Sequence, residues 1–286
     1  MASLKEIKGR IGSVKSTLKI TSAMKMVASA RLHKAQSAIE GMLPYEKSLQ
    51  SILEAVMPSC SRDEFVPYSV RSGEECSGKV AVVAIASNSS LCGAFNNNVI
   101  KETRKCISDL ESEGFSVDVF PVGKKMADAL KRDGRTCAAD LSHLVADARY
   151  EEASVFANTL TEAYVGGRYD KVLLIYNHFV STSTQKPQTD VYLPMTVQSG
   201  AEAESYILEP SADKLIRELL PKLLKLKVYT VLLDSVASEH SARTVAMQTA
   251  TDNGERILSD LTLEYNKGRQ QKITSEILDL VGGSQQ

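Results

Sequence analysis

The sequence predicts an α/β protein combined with a long antiparallel coiled coil. Its N- and C-terminal helices pair as a rod, and a Rossmann-like βαβ domain lies between them in the chain. Three observations predict this. Apolar and small residues recur at 3-and-4 spacing at both ends of the 286 residues. The middle carries short continuous apolar runs alternating with helical stretches, the mark of strands buried on both faces of a parallel sheet. After Pro221 there is no further proline, so nothing interrupts a helix to the end. The implied division is a helix over 1–58, a linker over 59–78, an α/β domain over 79–207 and a second long helix over 208–286.

In the first helix the spacing runs through Leu4, Ile7, Ile11, Val14 and Leu18. It lapses at Thr21 and Lys25 and resumes through Ala28, Leu32, Ala35, Ile39 and Met42. A bend is expected at Pro44, which cannot donate to the carbonyl four residues back. Pro58, Ser59 and the mixed polar residues through Pro67 to Gly78 read as a linker. The first strand is Val80–Ala86, followed by the turn Ser87-Asn88-Ser89-Ser90 and a helix over Asn97–Glu113. Val117–Val122 is the second strand and Lys124–Arg132 the second helix. Glu151–Val165 is the third helix and Lys171–Tyr176 the third strand. From Ser181 to Ser199 the chain is polar and β-prone, and a loop with an antiparallel edge strand around Val191–Leu193 is expected. Right-handed crossovers connect the parallel strands.

The last helix, from Glu209 to Val281, spans on the order of 100 Å at 1.5 Å per residue. A helix of that length needs a long partner. Its seam follows Leu233, Ala237, His240, Thr244, Met247, Thr251, Gly254, Leu258, Leu261, Tyr265 and Gly268. Small and polar residues dominate it, which weakens a coiled coil but lets a second backbone come close. Counting outward equally from Met57 and Glu209 places Met24 near Arg243 and Leu4 near Leu263. Residues after about Leu263 then have no partner within the chain, and Ile273, Ile277, Leu280 and Val281 form an exposed apolar tip that needs a socket elsewhere.

Composition narrows the function. The net charge of -1 gives no general attraction to nucleic acid or membrane. Residues 1–35 nevertheless carry Lys5, Lys8, Arg10, Lys15, Lys19, Lys25, Arg31 and Lys34 against Glu6 alone, a basic rod suited to an acidic partner. A basic, serine-containing start also matches an organelle transit peptide, but the heptads that continue to Met42 would be lost on cleavage. No run approaches the ~18 apolar residues of a membrane span, so a soluble or peripheral protein is expected. Five cysteines without C-x-x-C spacing fit free thiols in a reducing compartment. His33, His143, His178 and His240 are scattered singly, so neither a metal site nor a cofactor is expected.

A βαβ domain invites a nucleotide-site reading. No G-x-G-x-x-G follows a strand, and around Gly123-Lys124 a phosphate loop would require glycine at Asp118 and a hydroxyl residue at Lys125. Ser87 to Gly93 lies at the carboxyl end of a strand, where Cys92 could act as a nucleophile, but no histidine is close in sequence. Ser238-Glu239-His240-Ser241 holds hydrolase residue types on consecutive helical positions that point to different sides. No catalytic residue is assigned.

The motifs carry a further reading. Ile20-Thr21-Ser22-Ala23-Met24-Lys25-Met26-Val27-Ala28, the central Leu91-Cys92-Gly93 and Ser238-Glu239-His240-Ser241-Ala242-Arg243 occur in order. Ala250-Thr251-Asp252-Asn253, Leu263-Glu264-Tyr265-Asn266-Lys267, Arg269-Gln270 and Ile273-Thr274-Ser275-Glu276-Ile277 follow. With these, the chain resembles the gamma subunit of F-type ATP synthase over nearly its whole length. It departs from that family at Asn88, Ser89 and Ser90, where Asp, a basic residue and Gly are usual, and at Leu280, where a β-branched residue is usual.

The resemblance implies a non-catalytic shaft standing in a ring of three alpha and three beta subunits. The globular part would rest on the membrane c-ring beside the epsilon subunit, so that proton flow drives ATP synthesis on beta. Met24, Lys25, Arg243, Arg269 and Gln270 match positions that contact beta, and Ile273, Ile277, Leu280 and Val281 would run in an apolar collar. Lacking the chloroplast cysteine insertion and a presequence, the chain is expected to be bacterial and peripheral on the cytoplasmic face of the inner membrane. Two competing readings remain: a coiled-coil scaffold with a non-catalytic α/β insert, and a nucleotide-binding enzyme with helical arms.

Overall fold

The computed structural model describes residues 3–57, 65–70, 77–137, 139–195, 208–209 and 211–283. Most of the expected linker, together with Cys60 and Cys76, lies outside the described residues. So do the side chains of Leu280 and Val281. The elements are α1 (Leu4–Val56), a short 3₁₀ turn (Val66–Tyr68), β1 (Lys79–Ile85), α2 (Phe95–Ser112), β2 (Ser116–Val122) and α3 (Lys124–Arg132). They continue with α4 (Leu144–Asp147), α5 (Tyr150–Val165), β3 (Lys171–Ser181), β4 (Thr184–Leu193) and α6 (Ala212–Gly283). Pro44 and Pro221 lie inside α1 and α6 without ending either helix.

The chain divides into two compact units, residues 1–29 with 243–286, and residues 30–242. In the larger unit a four-stranded mixed sheet has the order β2-β1-β3-β4. β1 pairs parallel with β2, Lys79 opposite Ser116, and with β3, Val80 opposite Lys171. β3 and β4 form an antiparallel hairpin, Ser181 opposite Thr184. β1 sits in the middle, so its alternate side chains enter two cores. Val80, Val82 and Ala84 pack with Val99, Ile107, Met126 and Leu130 of α2 and α3. Ala81, Val83 and Ile85 pack with Phe156 and Leu160 of α5 and with Leu224, Val228 and Leu232 of α6. The chain moves outward from β1 to β2 and then back across it to β3, so a constant crossover hand puts α2 and α5 on opposite faces. Burial of β1 on both sides accounts for its unbroken apolar run.

The hairpin departs from expectation. β3 continues to Ser181 and β4 begins at Thr184, well before Val191. Beyond Tyr176 the hairpin strands are largely exposed, with Val180 50% accessible, so the apolar alternation that marks a half-buried strand is missing.

At the base of the larger unit, Leu49, Leu53 and Val56 of α1 interlock with Ile216, Leu220 and Leu223 of α6. In the smaller unit the same two helices meet in antiparallel register. The Thr21 and Thr251 hydroxyls are 2.9 Å apart, and Lys25 Nζ donates to Gln248 Oε1 at 2.6 Å. Gly254 lies under Leu18 and Gly268 under Leu4, and a methyl group at Gly254 would come within 2.7 Å of Leu18 Cδ2. Small seam residues therefore do bring the helices close.

This register corrects the count made from sequence. Leu4 meets Gly268, five positions beyond Leu263, and Lys25 meets Gln248 rather than Met24 meeting Arg243. α6 starts at Ala212, three residues after Glu209, and α1 ends at Val56, one before Met57, so the helix bounds account for two of the five positions. Past Gly268, every side chain described from Arg269 to Leu278 is exposed.

Candidate coupling surface

In the smaller unit, seam and surface alternate along both helices. Ile7 and Met247 are buried and Leu18, Thr251 and Leu258 half-buried, while the lysines at 5, 8, 15 and 19 are exposed. The only carboxylate of the first turn, on Glu6, is held by Arg10 at 3.1 Å. The exposed face of α1 is therefore basic. Interleaved with it are apolar side chains that point away from the seam: Ile20, Met26 and Val27 of α1 are 59%, 63% and 56% exposed. Val245, Ile257 and Leu263 of α6 are exposed as well.

The residues singled out from sequence fall in two places. Met24 and Lys25 are half-buried beside the Gln248 turn, and Gln248 is itself anchored to Asp252 at 2.6 Å. Arg243 is only 7% exposed, which rules out a freely solvated helix face. Arg269 and Gln270 are exposed and lie about 39 Å further along α6 at 1.5 Å per residue. No single contact can include both arginines. Beyond them Ile273, Ile277 and Leu278 are 47%, 54% and 65% exposed. The seam spacing concealed Ile20, Met26 and Val27. Their signal was apolar character at positions where a rod should be polar.

The turn after β1 is closed by its own side chains. Asn96 Oδ1 accepts from the Ser87 amide and hydroxyl at 3.0 Å each, and Ser87 Oγ donates to Ser89 O at 2.6 Å. Asn88 Oδ1 accepts from the Lys124 amide at 3.0 Å, and Ser87 O accepts from the Lys125 amide. The first amides of α3, which a phosphate loop would aim at its ligand, are thus occupied by the chain. Cys92 is buried and receives Asn96 Nδ2 at 3.2 Å. Burial, then the neighbouring carboxylates of Asp109, Glu102 and Glu113, raise the Cys106 thiol pKa, and burial raises that of Cys137, so both stay protonated. Ser238 to Ser241 are all buried on a helix enclosed on every side, and Ser241 Oγ donates to Thr182 O at 2.7 Å. The described residues hold no cluster of His, Cys, Asp or Glu that could bind a metal.

A family model described as ATP synthase matches residues 3–285. The chain is 49% identical over 291 residues to an ATP synthase gamma chain of Phocaeicola vulgatus, covering 99% of each. It is 49% identical over 302 residues to one of Bacteroides thetaiotaomicron, covering 100% of each. Among solved structures, it is similar to a chain of the Tetrahymena thermophila mitochondrial ATP synthase central stalk and c-ring, with TM-score 0.59 and 23% identity. That match covers 81% of this chain and 99% of the other. A chain of the Euglena gracilis mitochondrial ATP synthase matches with TM-score 0.62 and 17% identity over 99% and 93%. These two likenesses concern the fold.

Proposed function

The chain belongs to the ATP synthase gamma-chain family, and from that membership we propose how its geometry serves the central stalk of the enzyme. α1 and α6 form an antiparallel coiled coil that stands as a shaft within the ring of alpha and beta subunits. The sheet domain rests on the membrane c-ring beside epsilon. The shaft catalyses nothing itself, and nucleotide chemistry takes place on beta. The protein is peripheral at the cytoplasmic face of the inner membrane; none of its described helices is long and apolar enough to cross a bilayer.

The observation that carries this reading is asymmetry. α6 continues past Gly268, which lies under Leu4 of α1, and leaves Ile273 and Ile277 exposed, while exposed lysines line the start of α1. Such a shaft touches each beta subunit of a three-fold ring differently, and only differential contact can give identical subunits different affinities. Turning the shaft then moves each beta subunit through those affinities. Met24, Lys25, Arg243, Arg269 and Gln270 are the proposed beta contacts, and the exposed guanidinium fork of Arg269 is suited to a carboxylate. Ile273, Ile277, Leu280 and Val281 form the bearing.

The test is purification followed by kinetics. The chain should co-elute with alpha and beta and show no ATPase alone. Arg243→Ala and Arg269→Ala should each allow assembly but slow ATP turnover. Loss of a charge-assisted bond worth about 1–2 kcal/mol at the barrier corresponds to roughly five- to thirtyfold. Wild-type turnover in both variants would remove these residues from the coupling surface.

A further inference from the structure

The β3–β4 hairpin is longer than the sheet needs, and its polar groups meet α6 along one stripe. Asp190 takes the Tyr176 hydroxyl at 3.0 Å and Gln188 Nε2 at 2.6 Å, and lies 3.7 Å from Lys227 Nζ. Asp234 accepts the Phe179 amide at 2.8 Å through Oδ1, and His178 Nδ1 lies 2.6 Å from its Oδ2. Ser241 donates to Thr182 O at 2.7 Å and accepts from Gln185 Nε2 at 3.4 Å. Lys227, Asp234 and Ser241 are seven residues apart, which on an α-helix is one face with rungs about 10.5 Å apart. Between the rungs Phe179 packs on Leu32 and Ala35 of α1 and on Ala237 of α6.

We propose that the β3–β4 hairpin is a torsional clasp: its rungs at Lys227, Asp234 and Ser241, with the Phe179 wedge, stop α6 from turning about its own axis against the sheet. The close packing of α6 in the apolar cores resists rotation through fit, and the hairpin adds a directional restraint to it. Hydrogen bonds depend on angle and break when the helix turns. The placement of Asp234 fits this role. Burial raises its pKa, with the His178 and Phe179 hydrogen bonds pulling the other way, so the carboxylate is kept at a cost that an apolar residue would avoid. The clasp matters to function only if the chain is a shaft, so the inference rests on the reading above. Tyr176, His178, Phe179 and Asp234 are positioning residues in this account.

The experiment uses the assembled complex with its alpha–beta head fixed to a surface and a probe on the exposed Cys137. Torsional stiffness is read from the angular fluctuations of the probe while ATP turnover is measured in parallel. In the triple variant Phe179→Ala, Asp234→Ala and Ser241→Ala, stiffness should fall about twofold or more with turnover retained, since directional restraint is lost without loss of fold. Asp234→Asn, which keeps an acceptor for the Phe179 amide, should restore most of the stiffness lost in Asp234→Ala. Wild-type stiffness in the triple variant overturns the clasp and leaves the shaft reading standing. A wild-type complex that does not contain the chain overturns the shaft reading instead. Should the triple variant fail to assemble, Ser241→Ala alone is measured, and stiffness equal to wild type then overturns the proposal.

Discussion

Gly123 shows how a single residue can fix the turn at the carboxyl edge of the sheet. Its φ is +100°, and a side-chain carbon there would run into the carbonyl oxygen of Ala86. That contact is with backbone and cannot be relieved by a rotamer change. Gly123→Ala should cost about 3 kcal/mol or more of stability, combining positive-φ strain with a backbone clash, and denaturant unfolding of the chain would measure it. A loss within about 0.5 kcal/mol would mean that the turn shifts freely. At this scale the sequence was informative where chemistry must be local. The absent phosphate-loop residues around Gly123-Lys124 anticipated amides given over to Asn88 and Ser87. It was silent on the burial of Arg243, because burial of an arginine depends on what surrounds the helix and not on its spacing along it.

The helix pair was legible at the scale of elements because its constraint repeats. Every seam position from Leu233 to Gly268 is buried or half-buried, as are Leu4, Ile7, Ile11, Val14 and Leu18. Even the lapse at Thr21 and Lys25 has a physical meaning: polar residues in the seam meet polar partners, Thr251 and Gln248. Register was not legible, since equal counting from the base assumes that both helices leave at one level, and α6 starts late. Thr21→Cys with Thr251→Cys tests the observed register. Their hydroxyls are 2.9 Å apart, so oxidation should form an intrachain disulfide that shifts mobility on a non-reducing gel. Met24→Cys with Arg243→Cys, the pair implied by equal counting, should not cross-link. The hairpin escaped the sequence for a different reason. Thr184-Gln185-Lys186-Pro187-Gln188 is polar throughout, and the connection through Thr182-Ser183 contains neither the Asn nor the Gly of a tight hairpin turn. Pro187 in β4 and Pro121 in β2 place a residue without an amide donor on each edge strand, which discourages pairing with another chain.

For the molecule as a whole, the sequence's near-neutral charge hides a division of labour. The basic start of α1 lies in the smaller unit, which is built of two helices, and the larger unit carries the sheet with an apolar core on each of its faces. Membership of the gamma-chain family gives this division its proposed use: under the shaft proposal one unit acts on the head and the other receives torque. The most direct test watches the wild-type chain turn. With the alpha–beta head immobilised and a probe on Cys137, added ATP should drive sustained rotation in one direction, stopping when ATP is exhausted. A probe that stays still, or that only fluctuates about one angle while the complex hydrolyses ATP, would contradict the account.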